Sequence, residues 1–126
     1  MQGETDGVVT GLPAVLLRTE GAVLLLLSLF FYWRSGAAWL LYLVLLLAPD
    51  VGMLGYLGGT RLGAVAYNLV HVYVAPAILL AAGAVTGSPL LSSLALVWFG
   101  HIGMDRLLGF GLKYPSGFHH THLGTI

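Results

Sequence analysis

The chain has 126 residues, of which 58% are hydrophobic and 8% charged. Soluble domains carry about 25% charged residues, so this composition is that of a membrane protein. Five basic and five acidic side chains cancel, which excludes a nucleic-acid footprint, and the absence of cysteine excludes disulfides, thiolate metal sites and cysteine nucleophiles.

Residues 1–7 carry Glu4 and Asp6 where a secretory signal would carry positive charge, so no cleaved signal peptide is expected. A spanning helix needs about 20 mainly apolar residues. Four stretches qualify. The first covers about 12–33 and holds Arg18 and Glu20; the second covers about 37–57 and holds Pro49-Asp50. The third, about 62–85, holds Asn68, His71 and Pro76, and the fourth, about 90–110, holds His101 and Asp105. Short breaks rich in Gly, Ser or Pro separate them, as tight connections require. The expected fold is all-α, a four-helix transmembrane bundle in one domain over 1–126, with both termini on the same side and a polar tail at 111–126.

That side carries Arg61 and Lys113, with Arg18 and Arg106 within reach, whereas the other has only Arg34. The positive-inside rule then puts both termini in the cytoplasm of a multi-pass inner-membrane protein. Tyr32, Trp33, Trp39 and Tyr42 surround the first turn and suit an aromatic belt at the outer interface.

Glu20, Asp50, His71, His101 and Asp105 all fall in one half of this membrane, roughly 8–14 Å from its cytoplasmic edge at 1.5 Å rise per residue. A bilayer penalises such groups by roughly 3 kcal/mol or more each, so a shared layer of five points to a site. His101 and Asp105, four apart, lie on one helical face, as do Asn68 and His71, three apart, and Tyr67 and His71, four apart. Imidazole with carboxylate suits zinc, iron or manganese. The expected ligands are His71, His101, Asp105 and Asp50, with His122 of the tail as an added one. Glu20 and Asp50 are the candidate acid or base. Asn68, Arg106 and Lys113 are candidate contacts for a bound group, the two cations for an anionic head group. His119, His120 and His122 stand ready to fold over the mouth.

Each polar residue alone also has a structural reading: a histidine bonded across to a neighbouring helix, or Asp105 with Arg106 and Glu20 with Arg18 as ion pairs. Gly55, Gly58, Gly59, Gly63, Gly100, Gly103, Gly109 and Gly111 are read first as points of close helix approach.

The stretches LLLAPDVGMLGY (45–56), AYNLVHVYVAPA (66–77) and GHIGMDRLLGFGLKYPSGFHHTHLG (100–124) resemble a family of small bacterial integral membrane proteins known only as a domain of unknown function. The resemblance runs from about Arg18 to the end and rests on Pro-Asp, Asn-x-x-His, His-x-x-x-Asp-Arg and Thr-His-Leu-Gly. It implies a four-span protein and carries no settled activity. More loosely, the chain looks like membrane-bound metal-dependent hydrolases that place histidines and aspartates in short helical spans.

The leading expectation is a membrane-embedded, metal-dependent hydrolase acting on a lipid-like substrate. The alternatives are a haem-binding electron carrier using His71 and His101, a proton relay, and a non-catalytic subunit of a larger membrane complex. Membrane lipids are the expected partners, with a homo-oligomer or larger complex also open.

Overall fold

A computed structural model of the chain describes residues 7–115 and 121–123. Among these described residues five α-helices and one 3₁₀ segment follow one another: α1 (Gly11–Ser35), α2 (Trp39–Leu45), the 3₁₀ segment (Ala48–Gly58), α3 (Thr60–Val70), α4 (Val74–Thr86) and α5 (Pro89–Leu108). The all-α expectation holds, and the described residues add only one isolated antiparallel bridge, between Lys113 and Thr121.

α1 is a 25-residue apolar helix that stops at Gly36, whose φ of 74° admits the left-handed turn and lets its N–H cap Trp33 O. It buries Gly21, Ser28 and Tyr32. These are spaced seven and four apart and so form one stripe. That stripe packs on α5, the central helix. At their crossing a Cβ built on Gly103 would lie 2.6 Å from Gly21 O, so the two backbones touch. α5 begins at Pro89, with Ser88 Oγ accepting from Leu91 N at 3.3 Å. It ends in a Schellman turn at Gly109, where Phe110 N donates to Asp105 O at 2.7 Å. α4 returns beside α5, and the 3₁₀ segment lies against α3, where a Cβ on Gly55 would sit 2.5 Å from Ala66 Cβ.

Two of the four expected spans are not continuous helices. Stretch 37–57 divides into a seven-residue α-helix and an eleven-residue 3₁₀ segment with Pro at its start. Proline cannot donate to the preceding turn, and the winding tightens instead. Stretch 62–85 breaks at 71–73, between α3 and α4, where Pro76 has no N–H to offer Val72 O. Gly11–Ser35 and Thr60–Thr86 are each long and apolar enough to cross a membrane. α5 has 20 residues, but His101, Asp105 and Arg106 lie within it.

The aromatic-belt expectation is corrected in part. Trp33 and Trp39 are exposed, but Tyr32 and Tyr42 are buried and form a small core with Val97. Their hydroxyls explain this. Tyr32 OH donates to Ala38 O at 2.5 Å, and Tyr42 OH lies 2.9 Å from Ser28 Oγ, which itself donates to Leu96 O. A tyrosine whose hydroxyl finds a partner can be buried whole.

Candidate metal centre

Asp50 from the 3₁₀ segment, His71 at the end of α3, and His101 and Asp105 one turn apart on α5 converge on one point. One ligand atom from each lies within 4.8 Å of all the others. His71 Nε2 and His101 Nε2 are 3.0 Å apart. Asp50 Oδ1 lies 3.4 and 3.2 Å from these two nitrogens, and Asp105 Oδ2 lies 3.4 and 3.2 Å from them. Donors bonded at about 2.1 Å to a common ion, at angles between octahedral and tetrahedral, stand roughly 3.0–3.4 Å from one another. The five measured separations fall in that range.

The other ring nitrogens settle what the Nε2 atoms present. His71 Nδ1 lies 2.7 Å from Tyr67 O, and His101 Nδ1 is bonded to Leu46 O. A carbonyl only accepts, so each Nδ1 carries a proton, and in the neutral ring each Nε2 presents a lone pair. With both rings neutral, two lone pairs and two carboxylate oxygens face one point, an arrangement that suits a cation. Metal-bound histidines commonly give their second N–H to a carbonyl or carboxylate in this way.

The broken backbone supplies these anchors. In an α-helix Leu46 O would accept from Asp50 N, but Asp50 N donates to Leu47 O at 3.1 Å, which leaves Leu46 O to His101. Likewise His71 N donates to Asn68 O at 3.1 Å, leaving Tyr67 O to the His71 ring. At the break between α3 and α4, Val70 O accepts from Trp98 Nε1 at 2.7 Å and His71 O from Arg106 Nη2 at 3.0 Å. Non-helical backbone at membrane depth persists only where protein or a cavity satisfies its polar groups.

Exposure is uneven around the centre. The side chains of His71 and His101 are each 1% exposed and that of Asp105 10%, whereas that of Asp50 is 36% exposed. The centre is closed on three sides and open on the Asp50 side. Tyr67 stacks on His71 at 3.7 Å between ring centroids, and Lys113 Nζ sits 4.7 Å from the centre of the Tyr67 ring. Burial pushes the Lys113 ammonium below the ordinary lysine range, against the opposing pull of Asp105 and Asp50.

The remaining expected site residues stand elsewhere. Glu20 is exposed on α1 and is not in the four-residue group. Arg18 Nε, two residues before it, donates to Leu107 O at 2.9 Å. Asn68 clamps the backbone of Lys113: its Nδ2 donates to Lys113 O at 2.8 Å and its Oδ1 accepts from Lys113 N at 2.7 Å. Arg106 is buried against the carbonyls of His71 and Phe110, so Asp105 is committed to the histidines. His122 also stands outside the group; its Nδ1 accepts from Leu112 N at 2.8 Å. Burial and the nearby Arg106 charge push His122 below its ordinary pKa, so the neutral ring is favoured. His119 and His120 lie outside the described residues.

The separation of the two histidines suits one small ion better than a haem. Two axial nitrogens on one iron stand about 4 Å apart, twice a metal–nitrogen bond of roughly 2 Å, with the porphyrin plane between them. The two Nε2 atoms are 3.0 Å apart, with both carboxylates closing on the same point.

Trp98 and the Leu46 carbonyl were not among the expected site residues. Trp98 had a signal, since it lies three residues before His101 on the same face. A backbone carbonyl has none.

Fold and site define a small all-α protein whose carboxylate–histidine centre is seated where two neighbouring segments leave regular α-helix. The chain belongs to the family described as domain of unknown function DUF4260, whose profile matches residues 14–126. No curated protein and no solved structure matches it.

Proposed function

We propose that this protein is a multi-pass membrane metalloenzyme, a hydrolase that acts on a lipid-like substrate at a divalent ion held by Asp50, His71, His101 and Asp105. The observation that carries the reading is the pair of Nε2 atoms 3.0 Å apart, their rings oriented by the Nδ1 bonds and flanked by two carboxylates. Two imidazoles with two carboxylates suit zinc first, then iron or manganese. An ion there would act as a Lewis acid and make water a nucleophile near neutral pH.

The open Asp50 side supports catalysis over a purely structural role, because structural sites are closed and catalytic ones keep a position accessible. Asp50 is accordingly the carboxylate placed to meet a substrate and to accept a proton. Lys113, against the Tyr67 ring, is the proposed contact for an anionic group.

The membrane reading rests on the surface. Leu26, Leu40, Leu57 and Val85 are 65%, 71%, 89% and 87% exposed, and they belong to a longer series of exposed large apolar side chains. An apolar surface of that extent has no place in water. Four crossings, with α2 and the 3₁₀ segment together forming the second, put both termini on the cytoplasmic side of the inner membrane.

Elemental analysis of tag-free protein, purified in detergent without added metal, tests the proposal. About one equivalent of zinc, iron or manganese per chain is expected in the wild type and none in His101→Ala. Folded wild-type protein without metal, or metal fully retained in His101→Ala, overturns it.

A further inference from the structure

An apolar cavity of about 310 Å³ is lined by Leu45, Ala48, Val70, Leu94, Val97 and Trp98, with Leu79 of α4 completing its wall. Small-molecule sites span roughly 300–1,000 Å³, so this one has room for a slender ligand and none for a helix.

Its walls adjoin the metal centre on every segment that contributes to that centre. Val70 precedes His71, Ala48 is two residues before Asp50, and Leu45 precedes Leu46, whose carbonyl anchors His101. On α5, Leu94, Trp98, His101 and Asp105 are spaced four, three and four apart, one continuous stripe. Trp98 is about 4.5 Å along the helix axis from His101. The cavity is therefore the apolar continuation of the site, one turn further along α5.

The chemistry of the walls selects the occupant. The one polar side-chain atom on the residues named, Trp98 Nε1, already donates to Val70 O at 2.7 Å, so a ligand meets no unpaired donor from them. Ala48 is exposed, so the cavity reaches the surface there, and its neighbours Val44 and Leu47 are 64% and 63% exposed. A molecule entering at Ala48 comes from an apolar surface and reaches Asp50 within two residues.

We infer that the cavity between α2, the 3₁₀ segment, α3, α4 and α5 receives one hydrocarbon chain of a lipid amphiphile and sets the polar group at the head of that chain against the Asp50–His71–His101–Asp105 centre. What stands beside the chain rests on the metal reading above; the chain site itself stands on the cavity.

The test uses the full chain in phospholipid nanodiscs with a fatty acid carrying a diazirine near the end of its chain. After irradiation the adducts are mapped by peptide mass analysis. Adducts are expected to concentrate on the peptides holding Val70 and Leu94–Trp98, to fall at least fivefold in Ala48→Trp, and to be unchanged in Leu40→Trp on the exposed apolar face. Adducts spread evenly over exposed positions such as Leu26, Leu40 and Leu57, or a wild-type pattern retained in Ala48→Trp, overturn the inference. Should Ala48→Trp not fold, the wild-type map alone decides. Metal is measured on the same samples. Concentrated adducts without metal keep the chain site and sink the enzyme reading; metal with scattered adducts does the reverse.

Discussion

Asp105→Asn keeps the size of the side chain and removes one negative charge from the metal centre. With two carboxylates and two neutral imidazoles, a divalent ion gives a centre of zero net charge. With one carboxylate the same ion leaves an uncompensated positive charge among side chains that are 1% and 10% exposed. Breaking a buried charge pair by removing one partner costs about 3–5 kcal/mol. At 1.4 kcal/mol per decade this weakens metal affinity roughly 10²–10³-fold or more. Asp50→Asn removes an equal charge from a side chain that is 36% exposed, where water replaces part of what is lost, and the expected loss is about tenfold. Competition against a chromophoric chelator, with tag-free protein in detergent, gives both affinities. An equal loss in the two variants refutes the argument from burial. No loss in Asp105→Asn refutes the site.

Gly103→Ala drives a Cβ to 2.6 Å from Gly21 O and 2.9 Å from Leu25 N, so α1 must back away from α5; overpacking costs about 1–3 kcal/mol. Because α1 carries none of the four ligands, thermal stability should fall while metal stoichiometry stays unchanged. Asn68→Ala removes the Asn68 bonds to both backbone groups of Lys113, worth about 1–3 kcal/mol. Limited proteolysis should then cut the tail near 111–115 several-fold faster. The lowered pKa of His122 means that the unfolded chain binds its proton first. The stability this ring contributes is therefore present above the ordinary value of 6.5 and is lost as pH falls below it. Amide protection factors at Leu112 and Val9, taken relative to the intrinsic exchange rate at each pH, should fall below that pH and lose the dependence in His122→Asn.

Helix content and the four-residue cluster were legible for the same reason: apolar runs and costly polar residues are visible one letter at a time. Asp50, His71, His101 and Asp105 stood out because each interrupts an apolar stretch, and the structure brings these four together, without the expected His122. Glu20 gave the same signal and stands apart, since a depth estimate fixes height in the membrane but not the direction a helix face points. Asn68 looked like a site residue because it shares a face with His71, yet its amide matches the backbone of Lys113, 45 residues away. Periodicity has no term for such a contact. The breaks were not read: Pro49 and Pro76 were visible in the sequence, yet the expected spans ran through them, where the structure has a 3₁₀ segment and a gap at 71–73. Gly100 and Gly103 were rightly read as close-packing positions, whereas Gly21, which meets Gly103, sat unnoticed inside an apolar run.

Trp98, His101 and Arg106 all donate from α5 to carbonyls on neighbouring segments, at Val70, Leu46 and His71. A buried carbonyl left without a partner costs several kcal/mol. These three side chains thus act as a template that dictates the shape of a backbone not their own. Shortening any one of them sends its neighbour back toward regular helix, where the carbonyl can find an amide again. A substitution at position 98 or 106 would in this way displace His71, although neither residue is one of the four ligands. Tolerance to change along α5 is governed by what its neighbours would do once released, more than by the volume each side chain fills.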